Sequence, residues 1–111
     1  MVRRLHAFLP PELTQVHADL DAALAIAAAR PSLVEKASAH EWLERRLLDP
    51  PRLGAHTVVW HCQLLHLLEP AERDAITVAL LEAARRFPLT RISYEPYEPG
   101  GPATLIVESF Q

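Results

Sequence analysis

Apolar positions along the chain repeat with two periods. From Glu12, the residues Leu13, Val16, Leu20, Leu24 and Ala27 recur at helical spacing, which predicts a helix over 12–29. Pro11 suits its first turn and Glu12 suits the positive end of its dipole. Pro31 stops it near Arg30. Before it, Pro10 and Pro11 close a segment read as extended. Leu33-Val34, within 32–36, predicts a short strand. Ser38-Ala39-His40-Glu41 matches a capping box, with Ser38 capping a helix whose buried face is Trp42, Leu43 and Leu47. Asp49-Pro50-Pro51 ends that helix.

The run Thr57-Val58-Val59-Trp60-His61-Cys62 is short, apolar and preceded by Gly54, the pattern of a buried strand in a parallel sheet. Gln63–Leu68 reads as a helical turn or a loop. Glu69-Pro70 opens a longer helix that carries Ile76, Ala79, Leu80, Ala83 and Phe87 on one face, with Arg85 and Arg86 at its negative end. Residues 89–94 and 103–109 read as strands joined by a turn rich in Pro and Gly, hence an antiparallel hairpin. The order helix, strand, helix, strand, helix, strand, strand predicts a single α/β domain over 1–111. Its sheet would be mainly parallel, with about four strands and at least one long edge exposed or covered by a partner.

Composition narrows the function classes. A length of 111 residues fits one domain, and a net charge of -3 without a basic, aromatic-rich stripe gives no nucleic-acid partner. One cysteine excludes an internal disulfide and fits a reducing compartment, so the cytoplasm is the expected location. No apolar run is long enough to span a bilayer, and the start is too short in apolar residues for a signal peptide.

Candidate chemistry gathers where the 57–62 strand ends, because open α/β sheets bind ligands beyond the carboxyl ends of their strands. His61, Cys62 and Glu95 are the catalytic candidates, with the carboxylate orienting the imidazole. Adjacent strand residues point to opposite faces, so His61 and Cys62 need a bend to cooperate. The competing reading is a buried Cys62 beside a hydrogen-bonded structural histidine. Trp42 and Trp60 are expected in the core. His56, His61 and His66 are spaced by five and form no ligand pair, so no metal is expected. His17 and Asp21 share a helix face and read as solvated surface. The dipole alone accounts for Glu69, Glu72 and Asp74 at a helix start. Tyr94, Tyr97 and Glu98 decorate the last turn.

Several segments, in this order, are similar to the carboxyl-terminal part of a bacterial family catalogued as domain of unknown function 2332. They are Pro11-Glu12 with Leu20-Asp21-Ala22-Ala23-Leu24, Ser38-Ala39-His40-Glu41-Trp42-Leu43, Thr57 to Cys62, and Pro88-Leu89 through Glu95. The resemblance spans about 11–107. It implies a divergent, three-layer, methyltransferase-like Rossmann fold, of which this chain would be the carboxyl-terminal part. The family's glycine-rich loop would lie upstream of residue 1, Ser38 stands where the family has Asp, and Cys62 stands where it has Ser. Two functions are therefore weighed. The favoured one is a non-catalytic structural or assembly module without cofactor, working as a homodimer or with a missing domain half. A dimer would bury 64–68 or the 103–109 edge. The alternative is part of an S-adenosylmethionine-dependent enzyme that needs an upstream half or a partner chain. In it, Ser38 and His40 would lie near the nucleotide and His61 and Glu95 on the substrate side.

Overall fold

The computed structural model describes residues 2–96 and 98–111, with side chains from Arg4 onward. The chain divides into two compact units, 1–36 and 37–111.

The first unit holds helices α1 (Val2–Ala7) and α2 (Thr14–Ala29). The helix α1 replaces the expected extended start. No proline occurs before Pro10, and Arg4 and His6 stand in its last turn, where they complement the dipole. The α2 boundaries agree with the apolar period, yet none of its residues is buried. Residues 32–36 are not a strand. Leu33 and Val34 are exposed there. A strand needs a neighbour for its backbone groups, and two apolar residues after a proline do not supply one.

The second unit runs α3 (Ala39–Arg46), β1 (Thr57–Cys62), a 3-10 turn (Leu65–Leu67), α4 (Pro70–Ala84), β2 (Leu89–Pro96) and β3 (Ala103–Phe110). Among the described residues the fold is therefore mixed α/β, with four α-helices and a sheet of three strands rather than about four. The order is β1-β2-β3, so β2 is central and β1 is an edge. The pair β1–β2 is parallel, from Thr57 opposite Leu89 to Cys62 opposite Tyr94. A parallel pair needs a crossover, and α4 provides it. The pair β2–β3 is the antiparallel hairpin, from Leu89 opposite Phe110 to Pro96 opposite Ala103.

The core lies on one side of this sheet. Leu43 and Leu47 from α3 meet Ile76, Ala79, Leu80 and Ala83 from α4, together with Phe87 and Leu89. Leu80 and Leu89 are fully buried. Each such side chain contributes about 1.5–3 kcal/mol by leaving water. Leu65 and Leu68 pack against the same cluster while Leu67 stays exposed, so the leucines after β1 largely serve the chain's own core. The expected core tryptophans lie elsewhere. Trp42 is exposed beneath the Arg46 guanidinium, 5.4 Å from the ring centre, and Trp60 is 69% exposed.

Helix α3 is held at one end by α4 and at the other by Arg86, just past the end of α4. Ser38 takes the N-cap position, but its side chain makes no cap bond. The Glu72 carboxylate accepts from the His40 backbone N–H at 3.1 Å and pairs with its ring Nδ1 at 2.5 Å. At the other end, Arg86 donates to the Leu47 and Leu48 carbonyls at 2.7 and 2.6 Å. An acid at the positive end and a base at the negative end both favour the helix dipole. Glu72 thus does more than sit in the field of its own helix.

Candidate functional site

In β-strands, successive side chains alternate between faces, and partners in register share one. The ladders therefore put Thr57, Val59 and His61 on the same face as Leu89, Arg91, Ser93 and Glu95. That is the face toward the core. Along β2 it changes from apolar Leu89 to Arg91, Ser93 and Glu95, and there the sheet stops feeding the core and begins to line a cavity of about 760 Å³. Ser93 and Glu95 are its buried polar residues.

The structure brings His61 and Glu95 together. His61 Nδ1 lies 2.7 Å from Glu95 Oε1, and the two side chains are only 9% and 10% exposed. A carboxylate only accepts hydrogen bonds, so Nδ1 carries the hydrogen of this bond. Nε2 is buried and has no partner among the described residues. Glu95 is fully engaged. The Leu64 N–H lies 2.9 and 3.1 Å from its two oxygens, and the Leu65 N–H 3.3 Å from Oε2. Burial pushes the carboxyl towards protonation, but the Leu64 N–H, the His61 ring and the Leu65 N–H outweigh it and hold Glu95 below the ordinary range.

Gln63 makes this geometry possible. Its N–H extends the ladder to the Tyr94 carbonyl at 3.0 Å, and its φ of 51° lies in the left-handed region. That reversal turns the next two N–H groups onto Glu95. A non-glycine residue in this region costs about 1 kcal/mol or more. On the other wall of the cavity, Pro99 and Gly100 occupy the middle of a turn closed by the Gly101 N–H to the Glu98 carbonyl at 2.9 Å. Gly100 has φ of 75°, the conformation a type II turn demands at that position.

The other expected site residues lie apart. Cys62 is exposed on the opposite face, opposite Tyr94, so it is neither buried nor able to act with His61. Strand alternation is the reason. His40 is occupied by Glu72, and Ser38 Oγ is buried without a partner among the described residues. His56 meets the Thr90 hydroxyl at 2.8 Å, whereas His66 lines the cavity. No three His, Cys, Asp or Glu residues gather as a metal group among the described residues. Glu98 lines the cavity, Tyr94 faces away from it, and Tyr97 lies outside the described residues. In the first unit, Asp21 pairs with His6 Nε2 at 2.8 Å rather than with His17, while His6 and His17 meet through their Nδ1 atoms at 2.8 Å.

Arg73, Arg91 and Ser93 also line the cavity, and motif reading had missed all three. The alternation Arg91-Ser93-Glu95 could have revealed two of them: three polar residues on one face of a strand that otherwise feeds the core. Arg91 pairs with Glu108 at 2.5 Å.

Fold and site together define a small α/β protein with a buried histidine–carboxylate pair at the carboxyl end of a parallel strand pair. The chain belongs to the bacterial family described as "uncharacterized protein conserved in bacteria (DUF2332)", whose family model matches residues 1–111. No curated protein and no solved structure matches it. Among the described residues no helix is long and apolar enough to cross a membrane.

Proposed function

We propose that the chain is an assembly module of Rossmann-like type, acting in the bacterial cytoplasm, whose exposed sheet face is covered by a second copy of itself. One observation carries this reading. The sheet face away from the core consists of Val58, Trp60 and Cys62 on β1, Thr90, Ile92 and Tyr94 on β2, and Leu105, Val107 and Ser109 on β3, with no Asp, Glu, Lys, Arg or His among them. Trp60, Leu105 and Val107 are 69%, 64% and 61% exposed. An exposed apolar patch of this kind marks an interface. Two copies can stack such faces about 10 Å apart without burying a charge, and a two-fold dimer is the commonest closed solution. The surface includes strand 103–110 and leaves out the 64–68 leucines. The parallel β1–α4–β2 unit supports the Rossmann-like assignment.

Sedimentation equilibrium at tens of micromolar tests the proposal. The expected outcome is a dimer that becomes a monomer in Trp60→Glu, with the far-UV spectrum unchanged. A wild-type monomer under those conditions overturns it. The methyltransferase-like alternative gains no specific support at Ser38 and His40, since His40 is already paired with Glu72. Calorimetry with S-adenosylmethionine is expected to show no low-micromolar binding.

A further inference from the structure

We infer that His6 and His17 hold one proton between them, and that this shared proton clasps α1 to α2 as a pH-sensitive catch. The site lies wholly in the first unit and is independent of the assembly proposed above.

Counting hydrogens carries the inference. His6 Nε2 lies 2.8 Å from Asp21 Oδ1, and His17 Nε2 lies 3.2 Å from the Pro10 carbonyl oxygen. A carboxylate and a carbonyl only accept, so both Nε2 atoms carry a hydrogen. The two Nδ1 atoms face each other at 2.8 Å, and a hydrogen on one of them is what makes that contact a bond. The rings are 2° from parallel, with centres 5.1 Å apart. The nitrogen–nitrogen distance and two ring radii nearly fill that separation, so the rings meet edge to edge rather than face to face. Two rings therefore hold three hydrogens, as one imidazole and one imidazolium. Asp21 supplies the matching negative charge.

The arrangement tolerates neither more hydrogens nor fewer. A fourth would set two N–H groups head to head. Removing the third would set two lone pairs head to head, or take the hydrogen from an Nε2 and break an end bond. A metal ion does not fit the same gap. Zinc lies about 2.0–2.1 Å from each nitrogen, which spreads a tetrahedral pair wider than this contact. No third ligand gathers there among the described residues.

The rest of the unit gives α1 little else to hold. No residue of α2 is buried, and Leu5 and Val16 remain 39% and 40% exposed. Six residues are too few for a helix to persist alone. Among the described side chains, Asp21 is the charged group on the face that carries the pair. Arg4 and Asp19 stand two residues from His6 and His17, about 200° round their helices, and Gln15 holds Asp19 at 2.9 Å. Glu12 is exposed in the link between the helices.

Nitrogen-15 NMR of the full chain, labelled at histidine and followed from pH 4 to 9, reads the proton directly. Both Nε2 atoms should be protonated. Both Nδ1 signals should lie between those of bare and protonated nitrogen, with a scalar coupling between the two nuclei across the shared hydrogen. The α-carbon shifts of residues 2–7 report α1. Its helical signature should be largest where the coupling is present, and should be lost on both the acidic and the alkaline side. His17→Ala should abolish that maximum while the signals of residues 37–111 stay in place. Asp21→Asn keeps an acceptor but removes the charge, so it should move the alkaline loss to lower pH. Two ring hydrogens in place of three at every pH overturns the inference. So does a wild-type α1 whose helicity is constant or changes in one direction only, or a His17→Ala chain that keeps the maximum.

Discussion

The two faces of the three-stranded sheet divide their residues against expectation. The face toward α3 and α4 carries His61, Arg91, Ser93, Glu95 and Glu108, while the outer face carries Val58, Trp60, Ile92, Tyr94, Leu105 and Val107. In a sheet with one solvated side, the usual pattern is polar outside and apolar inside. Here the covered face starts apolar, at Val59, Leu89 and Phe110, and turns polar only where the helices give way to the cavity. The outer face has no such gradient. The difference separates two uses of one scaffold: ionisable groups are kept where the fold can orient them, and apolar surface is kept where another surface can cover it.

The largest test of this division is on the core side. Leu80 is fully buried between α4 and the rest of the cluster, so Leu80→Ala should destabilise by about 2–5 kcal/mol in urea unfolding. Val107→Ala on the outer face should cost within about 0.5 kcal/mol when unfolding is followed below the dimerisation range. Its cost should grow with protein concentration if the outer face is an interface. Equal costs at all concentrations would erase the distinction between the faces.

Glu95 gives the next effect. In Glu95→Ala, the part-buried Leu64 and Leu65 N–H groups and the His61 Nδ1–H lose their acceptor. Stranding buried donors costs about 1–3 kcal/mol. Because the folded carboxyl lies below its unfolded value, its contribution is present above pH 4.5 and is lost as the pH falls through the folded value. The wild-type advantage over Glu95→Ala should therefore be full at pH 7 and shrink in acid. An advantage that grows on acidification would contradict this account of the pair.

Periodicity made most of the second unit legible. The apolar face of α4 could be read from Ile76, Ala79, Leu80 and Ala83, and the hairpin from two strands around a Pro-Gly turn, because local spacing decides those elements. What local spacing does not contain is the partner. Leu33-Val34 looks like a strand until a neighbour is required, and Trp60 looks like core until one asks which side of the sheet has helices. The site divides in the same way. His61 and Glu95 could be named because neighbouring parallel strands end together. Arg73 reaches the cavity from α4, and the Leu64 and Leu65 N–H groups reach Glu95 only because Gln63 adopts a left-handed backbone that its residue type does not announce. The capping residue of α3 was misread for a related reason. Ser38 sits in the right position, but Glu72, 32 residues after His40, provides the acceptor.

That cap supplies the smallest effect and tests whether the core side depends on charge outside the cavity as well. The hydrogen bond to Glu72 raises the His40 pKa above 6.5 against desolvation by burial, and the carboxylate charges of Glu72, Glu41 and Glu44 add to the rise. The same bond, with the His40 backbone N–H, lowers Glu72 below 4.5. For His40 the folded value is raised, so its contribution is complete below pH 6.5 and disappears as the pH rises through the folded value. For Glu72 the folded value is depressed, so its contribution is complete above pH 4.5 and disappears as the pH falls through the folded value. Both contributions coexist between about pH 4.5 and 6.5. Melting temperatures of the wild type and His40→Ala, compared from pH 4 to 9, should differ most inside that window. The gap should narrow in alkali, where the ring is neutral but Glu72 still caps the His40 backbone N–H. Added salt should reduce the gap as well, since both groups are within reach of solvent. A gap that widens steadily above pH 7 would show that His40 acts by packing alone and that the charged tie between α3 and α4 contributes nothing.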